Sequence, residues 1–99
     1  MIKVLTERKI PPGFDTADEA QVAHHARIAV DAMAATCRPI HWICTYVAGD
    51  SLFGLTVFED EAAIADFQTA AGIGGQKITV RRVTRIIDPS SAAPAHPVR

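Results

Sequence analysis

Hydrophobic and polar positions suggest four extended segments in this chain, and apolar residues recur at helical spacing in two others. Residues 2–8 open extended, with Ile2, Val4 and Leu5 suited to a strand. Pro11-Pro12-Gly13 ends it, because proline supplies no ladder donor and glycine permits a turn. Thr16-Ala17-Asp18-Glu19 has the form of a capping box and predicts the start of a long helix. Val22, Ala26, Ala29, Val30, Met33 and Cys37 recur at helical steps and make its expected buried stripe, with His24, Asp31 and Arg38 on the wet side. Arg38-Pro39 closes that helix, since a residue before proline is pushed out of the α region.

Residues 40–47 are rich in β-branched and aromatic side chains and predict the clearest strand. Ala48-Gly49-Asp50 reads as a hairpin turn into a return strand over 51–58. Asp60 caps a second helix over 61–71, with Ile64, Phe67 and Ala71 inward and Gly72 just past its end. A last strand is expected over 77–87, stopped by Asp88-Pro89. Residues 90–99, with Pro94 and Pro97 among alanines and serines, read as a flexible C-terminal tail to a domain spanning 1–89. The order β-α-β-β-α-β predicts an α+β, ferredoxin-like fold: a four-stranded antiparallel sheet with two helices on one face.

Strict alternation sends Ile40, Trp42, Cys44 and Tyr46 to one face of the sheet and His41, Ile43, Thr45 and Val47 to the other. The next strand divides Leu52, Gly54, Thr56 and Phe58 from Phe53, Leu55 and Val57. Both faces are apolar, and two helices hide only one. The other face predicts a homodimer that closes into a dimeric α/β barrel, burying the second face against its copy. Hydrophobic residues make up 48% of the 99, high for one small domain, which points the same way.

The formal net charge of −1 offers no footprint for nucleic acid or for a membrane surface. No apolar run reaches the ~20 residues that span a bilayer, and no secretory leader is apparent. Two cysteines make no disulfide scaffold, so a reducing, cytoplasmic setting is expected.

Candidate chemistry is sparse. His24 and His25 invite a metal reading, although helical neighbours diverge by about 100°. His41 and Cys44 resemble a short ligand motif, but an offset of three puts them on opposite faces unless a bulge intervenes. Cys37 and Cys44 otherwise read as small buried hydrophobes. Trp42 and Tyr46 flank Cys44 on one face, where they pack the core or line a ligand cavity. Glu7 and Arg8 stand near the end of the first strand, solvated or guarding a cleft. Arg81 and Arg85 share one face of the last strand and Arg82 takes the other, blunting an edge. Gly72-Ile73-Gly74-Gly75 follows a helix rather than a strand, so it is no dinucleotide loop. No nucleophile elbow is present.

Taken together, several segments resemble a family. They are Leu5-Thr6-Glu7-Arg8-Lys9-Ile10-Pro11, the helix from Thr16-Ala17 through Ala23-His24, the strand Ile40-His41-Trp42 to Tyr46-Val47, the stretch Glu61-Ala62-Ala63-Ile64 to Ala71-Gly72, and Ile86-Ile87-Asp88-Pro89. In order and spacing they resemble the small bacterial nickel-responsive, nickel-binding proteins, a family otherwise known as a domain of unknown function. The resemblance implies a ferredoxin-like homodimer that binds divalent nickel or another divalent metal without catalysis. His24 matches a helix-one histidine of that pattern, and Glu7-Arg8 stand where strand one ends. The strand-three cysteine of the pattern falls at Gly54 and the helix-two histidine near Phe67 or Gln68.

Two functions of different class follow, with an accessory role in a protein complex as a third. One is a metal-binding protein using His24 and Glu7 with His25 or His41. The other is a small enzyme or ligand-binding protein with an apolar pocket between sheet and helices, lined by Trp42 and Tyr46 with Arg8 near its mouth.

Overall fold

The computed structural model describes residues 1–92. Its elements run β1 (Ile2–Lys9), α1 (Glu19–Thr36), β2 (Ile40–Ala48), β3 (Ser51–Phe58), α2 (Glu61–Ala70) and β4 (Thr79–Arg82), followed by a 3-10 turn at Pro89–Ala92. The strands form one antiparallel sheet in the order β2-β3-β1-β4. Both helices lie against the same face. This is the ferredoxin-like arrangement, and its edges are β2 and β4. The expected flexible tail at 90–99 begins with the 3-10 turn, and residues 93–99 lie outside those described. Among the described residues no helix is long and apolar enough to cross a membrane.

Local chemistry fixes most boundaries. Gly49 takes φ +60 as the first of two loop residues between β2 and β3, where that sign of φ matches the twist of the strands. Asp60 caps α2 by accepting from the Ala63 amide at 2.9 Å. Gly72 follows the C-cap of α2 at φ +72, the left-handed conformation that ends many helices.

Four expectations need correction. The cap of α1 is Asp18, which accepts from the Ala20 amide at 3.0 Å, and not Thr16, because Asp18 directly precedes the first helical residue. The inward stripe of α1 is only partly the expected one. Ala29 and Met33 turn inward as expected, but Val22 and Val30 are exposed, while His25 turns inward and Ala32 is buried. Helix α1 contacts α2 more extensively than it contacts the sheet. Cys37 is not a core residue. It is the exposed C-cap in the left-handed conformation, φ +55. Finally, β4 ends at Arg82 instead of Ile87, so Arg85 lies beyond it; only the Val83 amide extends the ladder, donating to the Lys3 carbonyl at 2.8 Å.

The fully buried core is small and sits at one end of the sheet. Val4 and Phe58 meet Ala63 and Ile64 of α2, with Ile2, Ile40 and Phe67 around them. At the other end the sheet and α1 part, and a cavity opens between them.

Candidate ligand cavity

The strand register builds the cavity floor. Directly opposed residues in antiparallel strands point to the same face. Four rows therefore cross β1, β3 and β2 toward the helices: Ile2–Phe58–Ile40, Val4–Thr56–Trp42, Thr6–Gly54–Thr45 and Arg8–Leu52–Val47. The third row holds two threonines and a glycine beneath Ala29 of α1. No large side chain rises there to fill the gap. The result is a cavity of about 290 Å³, walled by Ile28, Met33, Ile64, Phe67 and Trp42. That size lies at the lower bound for small-molecule sites.

Close approach is required at the floor. A Cβ at position 54 would stand 2.8 Å from Thr6 Oγ1, inside van der Waals contact. Thr6 Oγ1 lies 3.5 Å from the Gly54 carbonyl oxygen. Glycine therefore both makes the hollow and admits the threonine beside it.

A β-bulge decides which aromatic faces in. Trp42 pairs with Thr56 and Cys44 with Leu55, leaving Ile43 as the extra residue. Parity reverses beyond it. Trp42 and Thr45 then share the helix face, and Trp42 Nε1 donates to Thr45 Oγ1 at 3.0 Å. Tyr46, expected beside Trp42, does not line the cavity; it is opposed to Phe53 on the open face and is 59% exposed. The Cys44 thiol beside it holds the Tyr46 hydroxyl above its ordinary pKa.

The same bulge puts His41 and Cys44 on one face. The open side of the sheet carries the rows Lys3–Val57–His41, Leu5–Leu55–Cys44 and Glu7–Phe53–Tyr46, with Arg81 beside Leu5. Neither helix covers it. Its centre is apolar, as the alternating strands require.

Arg8 sits at the cavity mouth with its neighbours fixed. Its Nη1 donates to Gln76 Oε1 at 3.1 Å, and its Nη2 stands 3.1 Å from His25 Nε2. A guanidinium only donates, so His25 Nε2 accepts and the imidazole is neutral. The His25 ring stacks on Phe14, centroids 4.8 Å apart. Burial, then the Arg8 charge, then that of His24 push the His25 pKa below its ordinary value. Burial also lowers the pKa of Arg8. Sequence reading placed Arg8 near the mouth but missed His25 as its partner. The sixteen residues between them carry no local signal, and only the packing of α1 on β1 joins them.

The four residues expected to hold a metal are divided by the fold. Glu7 and His41 face the open side, while His24 and His25 lie on α1 across the sheet. Among the described residues no three of His, Cys, Asp and Glu gather as a metal ion needs.

Comparison with known proteins adds the fold alone. No family model matches the chain, and no curated protein matches it. Among solved structures, SCO4226 from Streptomyces coelicolor A3(2) superposes with a TM-score of 0.59 at 10% identity, over 86% of this chain and 99% of that one. The chain is therefore similar in architecture to that protein, a four-stranded antiparallel sheet carrying two helices.

Proposed function

We propose that this protein binds a small molecule with a largely apolar body between the sheet and its helices. The observation that carries this reading is the Thr6–Gly54–Thr45 row, which leaves a hollow of about 290 Å³ beneath α1. A few polar groups converge on otherwise apolar walls, the usual composition of a ligand site. Among the described residues that line the cavity no nucleophile–base pair forms, and the reading is one of binding. Trp42 is the sole tryptophan and lines the wall, which makes its emission a direct reporter. Titration with small aromatic compounds is expected to shift that emission saturably. Ala29→Phe, which fills the hollow, abolishes the shift while the protein keeps its thermal transition. Saturable binding that survives Ala29→Phe removes the cavity from the proposal.

In this reading the working unit is a homodimer. Leu5, Phe53, Leu55 and Val57 make an apolar centre that neither helix covers, and a second copy offers the same surface. Light scattering at micromolar concentration checks it. A monomer whose state is unaffected by Leu55→Asp counts against the pairing.

Binding of nickel or another divalent metal is the second reading. One chain does not gather the ligands for it. What favours it is that His41 and Cys44 share the open face, so two copies paired there contribute two imidazoles and two thiols, a donor set suited to nickel. Native mass spectrometry with added nickel tests this: one ion per dimer, lost in His41→Ala, is expected.

A further inference from the structure

The charges around the cavity are unbalanced. Arg38 bonds to Glu59, Asp60 and Asp66, Lys9 to Asp50, Arg27 to Asp31 and Arg82 to Glu61. Arg8, the arginine that lines the cavity, has no carboxylate partner among the described residues. Its two partners, Gln76 Oε1 and His25 Nε2, are neutral acceptors. Among the described residues no aspartate or glutamate lines the cavity. A half-buried positive charge without a counterion forgoes hydration and gains little in exchange.

Resting on the cavity reading, we infer that the bound molecule is a small carboxylic acid with an apolar body, its carboxylate seated on Arg8. The guanidinium carries five N–H donors, and Gln76 and His25 occupy two. The remaining donors keep the planar fork that matches a carboxylate. His25 and Gln76 hold that fork from two sides, so little side-chain entropy is lost when the anion arrives. Behind it the walls are Ile28, Met33, Phe67 and Trp42, which demand an uncharged body. At ~30 Å³ for each water-sized group, the hollow accommodates about ten such groups. A single aromatic ring on a short chain fits this size; a long acyl chain does not.

The test compares 3-phenylpropanoate with 3-phenylpropanamide, which share body and shape but differ in charge. Both are titrated against the full chain, read by Trp42 emission and by calorimetry. The acid is expected to bind about 10- to 100-fold more tightly, the range for a hydrogen bond to a charged group. Arg8→Gln brings the two affinities together by weakening the acid alone. Gln76→Glu sets a carboxylate against the guanidinium and lowers acid affinity while sparing the amide, so the inference remains testable should Arg8→Gln fail to fold. Equal binding of acid and amide to the parent overturns the carboxylate inference and leaves the cavity reading standing. A preference for the acid that persists in Arg8→Gln or in Gln76→Glu removes Arg8 as its seat. If neither compound binds, the cavity reading falls and this inference falls with it.

Discussion

Trp42 Nε1 donates to Thr45 Oγ1 at 3.0 Å across the bulge at Ile43. Residues three apart in a regular strand face opposite ways. The extra residue brings these two to one side, points the indole into the cavity and turns Tyr46 out. One inserted residue thus divides the two aromatics that regular alternation would have kept together.

Thr45→Val keeps the shape of the side chain and removes the acceptor. A half-buried indole N–H then loses its partner, which costs about 1 kcal/mol of stability. The urea midpoint falls and Trp42 emission shifts, with no change in the cooperativity of unfolding. An unchanged midpoint and spectrum would mean that water replaces the hydroxyl without loss.

At Gly54 the floor of the cavity has no room for a methyl group. Gly54→Ala drives a Cβ against Thr6 Oγ1, and the β-branched threonine has few rotamers with which to yield. The expected loss is about 1–3 kcal/mol. Thr6→Ala in the same chain relieves the contact and recovers part of it. Additive losses in the double variant would show that the two side chains do not collide.

His25 makes stability depend on pH. Its folded pKa is lowered from 6.5 by burial first and by the Arg8 charge second. Between the lowered value and 6.5 the unfolded chain binds the proton and the folded chain does not, so stability rises with pH there. The contribution is fully present above 6.5 and is lost as pH falls through the folded value. Urea midpoints measured from pH 7.5 downward fall across this window in the parent. They flatten in His25→Gln. A slope that persists in the variant assigns the effect to other groups.

Arg38 ties the end of α1 to the start of α2. Its Nη1 lies 3.0 Å from Asp60 Oδ1, the atom that also caps Ala63, and its Nε lies 3.0 Å from Asp66. Asp60→Ala removes the cap and one ion pair, costing about 1–2 kcal/mol. Arg38→Ala costs about 1 kcal/mol, since the pairs are partly solvated. Because they share one atom the losses do not add, and a double-mutant cycle is expected to give a coupling of about 0.5 kcal/mol or more.

How far the sequence carries depends on the range of the force involved. The hairpin at Gly49-Asp50, the Asp60 cap and the Gly72 stop rest on chemistry within a few residues, and each stands where it was expected. Element order follows from those signals, and the antiparallel sheet with two helices follows from the order. The start of α1 went astray because Thr16 and Asp18 both carry capping side chains, and local pattern does not rank them.

By itself, then, the sequence determined the order of strands and helices and most of their punctuation, because backbone sterics and hydrogen bonding act over a turn or a pleat. Only the tertiary structure decided that Ile43 bulges, that Tyr46 faces out, and that Arg8 meets His25 across sixteen intervening residues. A bulge is a compromise between strand partners, fixed by how β2 settles on β3. The hollow over Gly54 arises in the same way, from threonines and an alanine that three separate elements bring together and none is large enough to close.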